Sequence, residues 1–189
     1  MIFSENIYIM ADPKIQNVLF SIAQENFQSD ETVFLAIKGA FKEYIFATDR
    51  SIYIYKTGFM TGRTFGYSLF QLDHANISSV QLHKNFGGTG YIEIVGIGMQ
   101  NQKDLSYWSS DKDKNPSRME NMVSFSDIRL ASEVVKRIRE LISKNNGGNY
   151  ESIHTSEDKF EEIKKFKELL DMDIITKEEF EQKKNELLK

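Results

Sequence analysis

The chain has 189 residues, 40% of them hydrophobic, with 14 Phe and no Cys. That is enough apolar material for one ordinary domain plus a small appendage and excludes a wholly disordered chain. The absence of Cys excludes a disulfide framework, a thiolate nucleophile and a Cys-rich zinc site. The formal net charge of −4 is unevenly placed: residues 151–189 hold 8 Lys against 12 Asp and Glu, which leaves 16 against 16 in the remainder. A neutral body with an acidic tail is a poor electrostatic match for nucleic acid or an anionic membrane, although a local basic patch survives such arithmetic.

The opening MIFSENIYIM lacks a basic region followed by a long apolar one, and Glu5 interrupts it, so it does not read as a secretory signal. No apolar run approaches the ~20 residues of a membrane span. These features point to a soluble, cytoplasmic protein.

Residues 1–10 alternate loosely, as an edge strand or a lead-in would. Asp12-Pro13 starts a helix, with Asp as N-cap and Pro in the first turn. Ile15, Val18, Leu19, Ile22 and Ala23 then form one apolar stripe that ends near Asn26. Glu31 to Phe41 contains a strand rich in β-formers. Glu43 to Tyr55 reads as a hairpin turning at Asp49-Arg50. Its parity puts Ala47 opposite Ile52 and Ile45 opposite Ile54 on an aliphatic face. Phe46 then meets Tyr53, and Tyr44 meets Tyr55, on an aromatic one. A one-residue slip would mix the two sets, so the register is strongly specified. Lys56 to Gly66 carries three glycines and reads as a loop. Further strands are expected over Phe65–Leu72, Ile77–His83, Tyr91–Met99 and Glu120–Phe125, with an exposed loop over residues 100–118. From Asp127 the period changes. Ile128, Ala131, Val134, Val135, Ile138, Leu141 and Ile142 recur at helical spacing up to Lys144, and Gly147-Gly148 provides a stop.

Seven strands followed by one amphipathic helix resemble the pleckstrin-homology (PH) superfold. The stretch ETVFLAIKGAFKEYIFATDRSIYIY is similar to the opening of bacterial PH-like families, with their glutamate-led first strand and Thr-(Asp/Asn)-(Lys/Arg) hairpin turn. The resemblance spans about residues 31–144 and implies a bacterial protein with a seven-stranded antiparallel barrel plugged by the C-terminal helix. The tail, KFEEIKKFKELLDMDIITKEEFEQKKNELL, resembles the short C-terminal domain called SHOCT. Leu169-Leu170, Ile175-Thr176, Glu178-Glu179-Phe180, Lys184 and Leu187-Leu188 match its pattern, while Asp173 stands where that family has glycine. Independently of the resemblance, Thr176 and Glu179 make a capping box and Ile175 can staple to Phe180. Two helices this short bury too little to stand alone.

Four constellations have bland explanations. Lys38 and Lys42, flanked by Glu43, make a solvated turn rather than a phosphate clamp. Gly87-Gly88-Thr89-Gly90 lies between strands, with no helix after it and no lysine in the P-loop position. Asp111, Asp113 and Asn115 open like a calcium loop, but Pro116 and Met122 occupy the positions that need glycine and glutamate. His74, His83 and His154 have no paired spacing for a metal, and no serine or carboxylate sits in a catalytic motif.

The expected architecture is α+β, mainly β: an N-terminal segment over 1–30, a PH-like barrel over 31–144, a linker over 145–156 and a helical hairpin over 157–189. The expected function is non-catalytic, without cofactor or metal: a binding or scaffold protein that meets a protein partner or a second copy of itself. The contacting residues would be Phe160, Ile163, Phe166, Leu169, Leu170, Ile175, Phe180, Leu187 and Leu188 in the tail. On the barrel exterior they would be Tyr44, Phe46, Tyr53, Tyr55 and Trp108. That aromatic set is too large an apolar surface for a monomer to leave bare. The N-terminal helix, the tail or a second chain must cover it. A peripheral membrane or lipid-binding role is the alternative, and nucleic acid is not expected.

Overall fold

The computed structural model describes residues 2–85, 88–100, 105, 114–145 and 176–187. By internal contacts the chain divides into two units, Met1–Tyr150 and Glu151–Lys189. The larger unit is mixed α+β and mostly strand. It begins with β1 (Ile2–Ile9), which runs parallel to β2 (Thr32–Lys38). Parallel neighbours need a crossover, and α1 (Pro13–Asn26) supplies it. Asp12 caps that helix by accepting a hydrogen bond from Lys14 N at 2.8 Å, with Pro13 in the first turn.

The hairpin of β3 (Glu43–Thr48) and β4 (Ser51–Gly58) has the register that its parity dictates: Ala47 pairs with Ile52, Ile45 with Ile54, Phe46 with Tyr53 and Tyr44 with Tyr55. At the turn, Thr48 Oγ1 accepts from Arg50 N and Ser51 N at 3.1 and 3.0 Å. The expected glycine loop over 56–66 is mostly strand. β4 runs on to Gly58, a 3-10 turn spans Phe59–Thr61, and β5 covers Arg63–Asp73. Gly58, Gly62 and Gly66 all have positive φ, so the glycines confine the reversal to a tight tip instead of melting the strands.

A 3-10 turn at His74–Asn76 leads to β6 (Ile77–Lys84), β7 (Gly90–Gly96) and β8 (Met122–Phe125). β7 stops at Gly96 rather than Met99, because Gly98 turns at φ +83°. Gly96 faces Leu72 and Met99, not the C-terminal helix. The strands form two sheets, ordered β1-β2-β3-β4-β5 and β6-β7-β8, and these are not closed into a barrel. The seven-stranded barrel thus gives way to a five-stranded and a three-stranded sheet. The N-terminal segment adds an edge strand to the first, and the turn after β5 takes the chain out of that sheet before β6.

The amphipathic helix α2 (Ile128–Asn145) touches β2 of the first sheet and β6, β7 and β8 of the second. Ala131, Val134, Val135, Ile138 and Ile142 meet the aliphatic hairpin face, Ile45, Ala47, Ile52 and Ile54, in the main core. The aromatic face forms a second core. Leu19, Ile22 and Ala23 of α1 lie with Val33, Ala36, Tyr44, Phe46 and Tyr53. Phe27, just past α1, stacks on Tyr53 at 4.0 Å and meets Phe46 edge-on at 4.9 Å. A parallel β1–β2 pair requires its crossover helix to lie over one face of the sheet, and the uncovered aromatic face is where α1 settles.

In the smaller unit, the described part is Thr176 and α3 (Lys177–Leu187). Phe180 N donates to Thr176 O at 3.1 Å, and the Phe180 side chain is buried.

Candidate functional site

Three polar clusters and one apolar tip stand out in the larger unit. The first cluster joins the sheets. Glu43 and Lys56, cross-strand neighbours, are 0% and 1% exposed. Lys56 Nζ donates to Glu43 Oε1 at 2.9 Å, to Ser117 O at 2.9 Å and to Pro116 O at 3.3 Å, which uses an ammonium's three donors. The Glu43 carboxylate also accepts from Ser124 N at 3.1 Å and Ser124 Oγ at 3.3 Å in β8. Burial pushes the Glu43 carboxyl up and the Lys56 amine down, and each partner's charge opposes the other's shift. Next to it, Ala40 N donates to Ser124 O at 2.6 Å, and a Cβ on Gly39 would stand 2.6 Å from that same oxygen. The close approach is why β2 ends at Lys38 and not at Phe41. With every donor and acceptor engaged, the pair is a structural clamp and offers no free proton-transfer group.

The second cluster is on the other sheet. His83 Nε2 lies 3.0 Å from Glu93 Oε2, and the imidazole stacks on Tyr91 with ring centres 4.4 Å apart. Burial, and secondarily Glu93, push the Tyr91 hydroxyl up to about 12. The third ties α2 to the first hairpin: Asn145 Nδ2 donates to Asp49 O at 2.8 Å and to His74 Nδ1 at 2.7 Å. That geometry needs a neutral His74, and burial lowers its pKa accordingly, against the opposing pull of Asp49 and Asp73. His74 and His83 are thus held by different partners. Among the described residues no group of three or more His, Asp or Glu is placed to hold a metal ion. No described helix is long and apolar enough to cross a membrane.

Of the residues expected to meet a partner, Tyr44, Phe46 and Tyr53 are buried, 7%, 0% and 1% exposed, and the chain's own α1 covers them. Of the three covers named for this aromatic face, the N-terminal helix is the one that lies over it, so these three rings are not available to a partner. Tyr55 is half-buried and stacks on Tyr67 at 4.8 Å, and Tyr67 is exposed. Phe180 is buried in the smaller unit. Trp108, Phe160, Ile163, Phe166, Leu169, Leu170, Ile175 and Leu188 lie outside the described residues, as does the side chain of Leu187.

The apolar tip at the end of the β4–β5 hairpin was not foreseen. Phe59, Met60, Phe65 and Tyr67 are 72%, 55%, 93% and 56% exposed. A closer signal was present in the sequence: four large apolar side chains interleaved with three glycines, in a segment whose turn leaves no room to bury them.

The chain was compared with known families, curated proteins and solved structures. Residues 161–188 match the family model SHOCT, the short C-terminal domain. No curated protein and no solved structure matches the chain. The smaller unit therefore carries a SHOCT domain, and the larger unit is defined by its own geometry.

Proposed function

We propose that this chain is a non-catalytic binding protein that self-associates through its SHOCT domain, with the larger unit as a rigid platform. The SHOCT match over 161–188 carries the reading. By spacing, Phe160, Ile163, Phe166, Leu169 and Leu170, with Leu187 and Leu188, give apolar stripes in two segments too short to bury them alone. A second copy supplies the missing surface, and an isologous dimer is its simplest form. The larger unit is read as a divergent PH-like platform. In favour are the antiparallel strands after β1 and the single C-terminal helix that fills the space between two sheets. The clamp at Glu43 and Lys56 has no unused polar atom from which to run a reaction, which suits a platform.

The test is the mass of the full chain by light scattering. Replacing Phe166 and Leu169 by serine should lower the mass to that of a single chain, with the circular dichroism of the strands retained. An unchanged mass would overturn self-association through the tail.

A further inference from the structure

The β4–β5 tip combines three properties that a solvated turn does not need. First, it exposes Phe59, Met60, Phe65 and Tyr67 together, beyond the end of the core. Phe65 sits on a bulge: the register jumps from Thr57–Tyr67 to Gly58–Arg63, which pushes residues 64–66 out of the ladder. Second, several of the tip's carbonyls are engaged from within. Thr61 Oγ1 lies 3.0 Å from Thr57 O and 2.9 Å from Gly58 O, and Gly62 N donates to Phe59 O at 2.9 Å. Ser117 Oγ lies 3.0 Å from Met60 O, and Thr57 Oγ1 donates to Gly66 O at 3.1 Å. These bonds satisfy the carbonyls of Phe59, Met60 and Gly66, and one of Thr57 and Gly58, which lowers the cost of bringing that part of the tip out of water.

Third, the rim is basic. The Lys42 side chain packs against Gly58, and Arg118 lies beside Gly62. Arg63 pairs with Glu120 at 2.7 Å, the one carboxylate among these rim residues. This is the local basic patch that a neutral body can still hold. The base of the tip is fixed as well, because Lys56 is anchored to Ser117 O and Pro116 O of the segment that carries Arg118.

We propose that this tip is a membrane-surface wedge: Phe59, Met60 and Phe65 enter the headgroup–acyl boundary of an anionic bilayer. Tyr67 sits at the interface, and Lys42 and Arg118 face the lipid phosphates. An apolar tip with cations around it fits an anionic bilayer in both parts, hydrocarbon for the rings and charge for the rim. The wedge is independent of the tail, since its residues lie in the larger unit.

The experiment is co-sedimentation of the full chain with vesicles of phosphatidylcholine alone or mixed with phosphatidylserine, at low salt. The chain should sediment with the anionic vesicles only. Phe65→Ser and Phe59→Ser should each weaken partitioning about tenfold. Lys42→Glu should weaken it roughly fivefold or more on anionic vesicles. All three variants should melt like the parent, and Val18→Ser, an exposed apolar site on α1, should bind like it. Absence of sedimentation with anionic vesicles, or full binding by the Phe59→Ser/Phe65→Ser double variant, would overturn the wedge. So would complete competition by soluble glycerophosphoserine, which assigns the binding to a headgroup pocket. A fall in solution mass for Phe65→Ser, with vesicle binding intact, would assign the tip to a protein contact instead. None of these outcomes depends on the Phe166 and Leu169 variants.

Discussion

The two faces of the β3–β4 hairpin start alike and finish differently. On the aliphatic face, Ala47–Ile52 and Ile45–Ile54 are followed one pair further by Glu43–Lys56, so a run of hydrocarbon ends in a buried ion pair. On the aromatic face, Phe46–Tyr53 and Tyr44–Tyr55 are followed by Tyr67, and exposure climbs from 0% at Phe46 to 56% at Tyr67. α2 and the second sheet seal the first face to its end. α1 covers only the middle of the second, and beyond its reach the rings run out into the tip. The difference separates a face that holds the molecule together from a face that ends in a contact surface. A sheet with two covers of unequal reach leaves its apolar overhang on the side of the shorter one.

The sharpest way to break that contrast is at the clamp. Lys56→Met leaves the Glu43 carboxylate buried without its counter-charge, and we expect a loss of about 3–5 kcal/mol in urea unfolding. Adding Glu43→Leu should recover most of that loss, because replacing both members of a buried pair by apolar groups is often neutral. If Lys56→Met alone costs under about 1 kcal/mol, the pair does not close the aliphatic face.

Smaller effects compare the faces directly. Tyr53 OH donates to Glu31 Oε1 at 2.7 Å, and Glu31 Oε2 has no hydrogen-bond partner among the described residues. Glu31 is 1% exposed, so Tyr53→Phe should cost about 1–3 kcal/mol through the carboxylate that loses its donor. On the opposite face, Ile54→Val removes one methylene and no polar partner, and should cost about 0.5–1.5 kcal/mol. Denaturant melts of the two variants side by side give the comparison. An equal or larger loss for Ile54→Val would mean that the Tyr53 hydroxyl contributes little to its core.

The hairpin was legible because parity alone fixes which residues meet once the turn is placed, and the four pairs written from it are the ones formed. The same parity carried one step further would have set Glu43 opposite Lys56 on the inward face. Lys56 instead fell into a glycine-rich stretch that reads as loop, which hid the clamp. The cover of the aromatic face was narrowed to three candidates and no further. A parallel β1–β2 pairing is a long-range fact that loose alternation over ten residues does not encode. The SHOCT domain was legible as a resemblance, carried by the leucine pairs and the Glu178-Glu179-Phe180 run, and the family model matches the same stretch, residues 161–188. The tip was missed because glycine spacing predicts a turn and says nothing about which side chains the turn leaves in water.

The smallest expected effect concerns how α2 is held over the aliphatic face. Asn145 bridges Asp49 O and His74 Nδ1, so the end of the helix is tied to the hairpin turn and to the turn after β5. Protonating His74 replaces the acceptor at Nδ1 with a donor facing the Asn145 amide, while burial already disfavours the cation. The folded chain therefore holds His74 neutral below the ordinary value of 6.5, and the unfolded chain binds the proton first. The contribution of this site is full above that pH and is lost as the pH falls toward the lowered folded value. Its slope is at most about 1.4 kcal/mol per pH unit. The charges of Asp49 and Asp73, and a hydrogen bond with the Ser51 backbone, pull its pKa upward, which narrows the window without reversing the sign. Denaturant melts between pH 7 and pH 5 should thus show falling stability for the parent and a flatter profile for His74→Gln. Glutamine can still accept from Asn145 but does not titrate. Parallel profiles for the two would mean that the end of α2 is held over the aliphatic face without any contribution from a neutral His74.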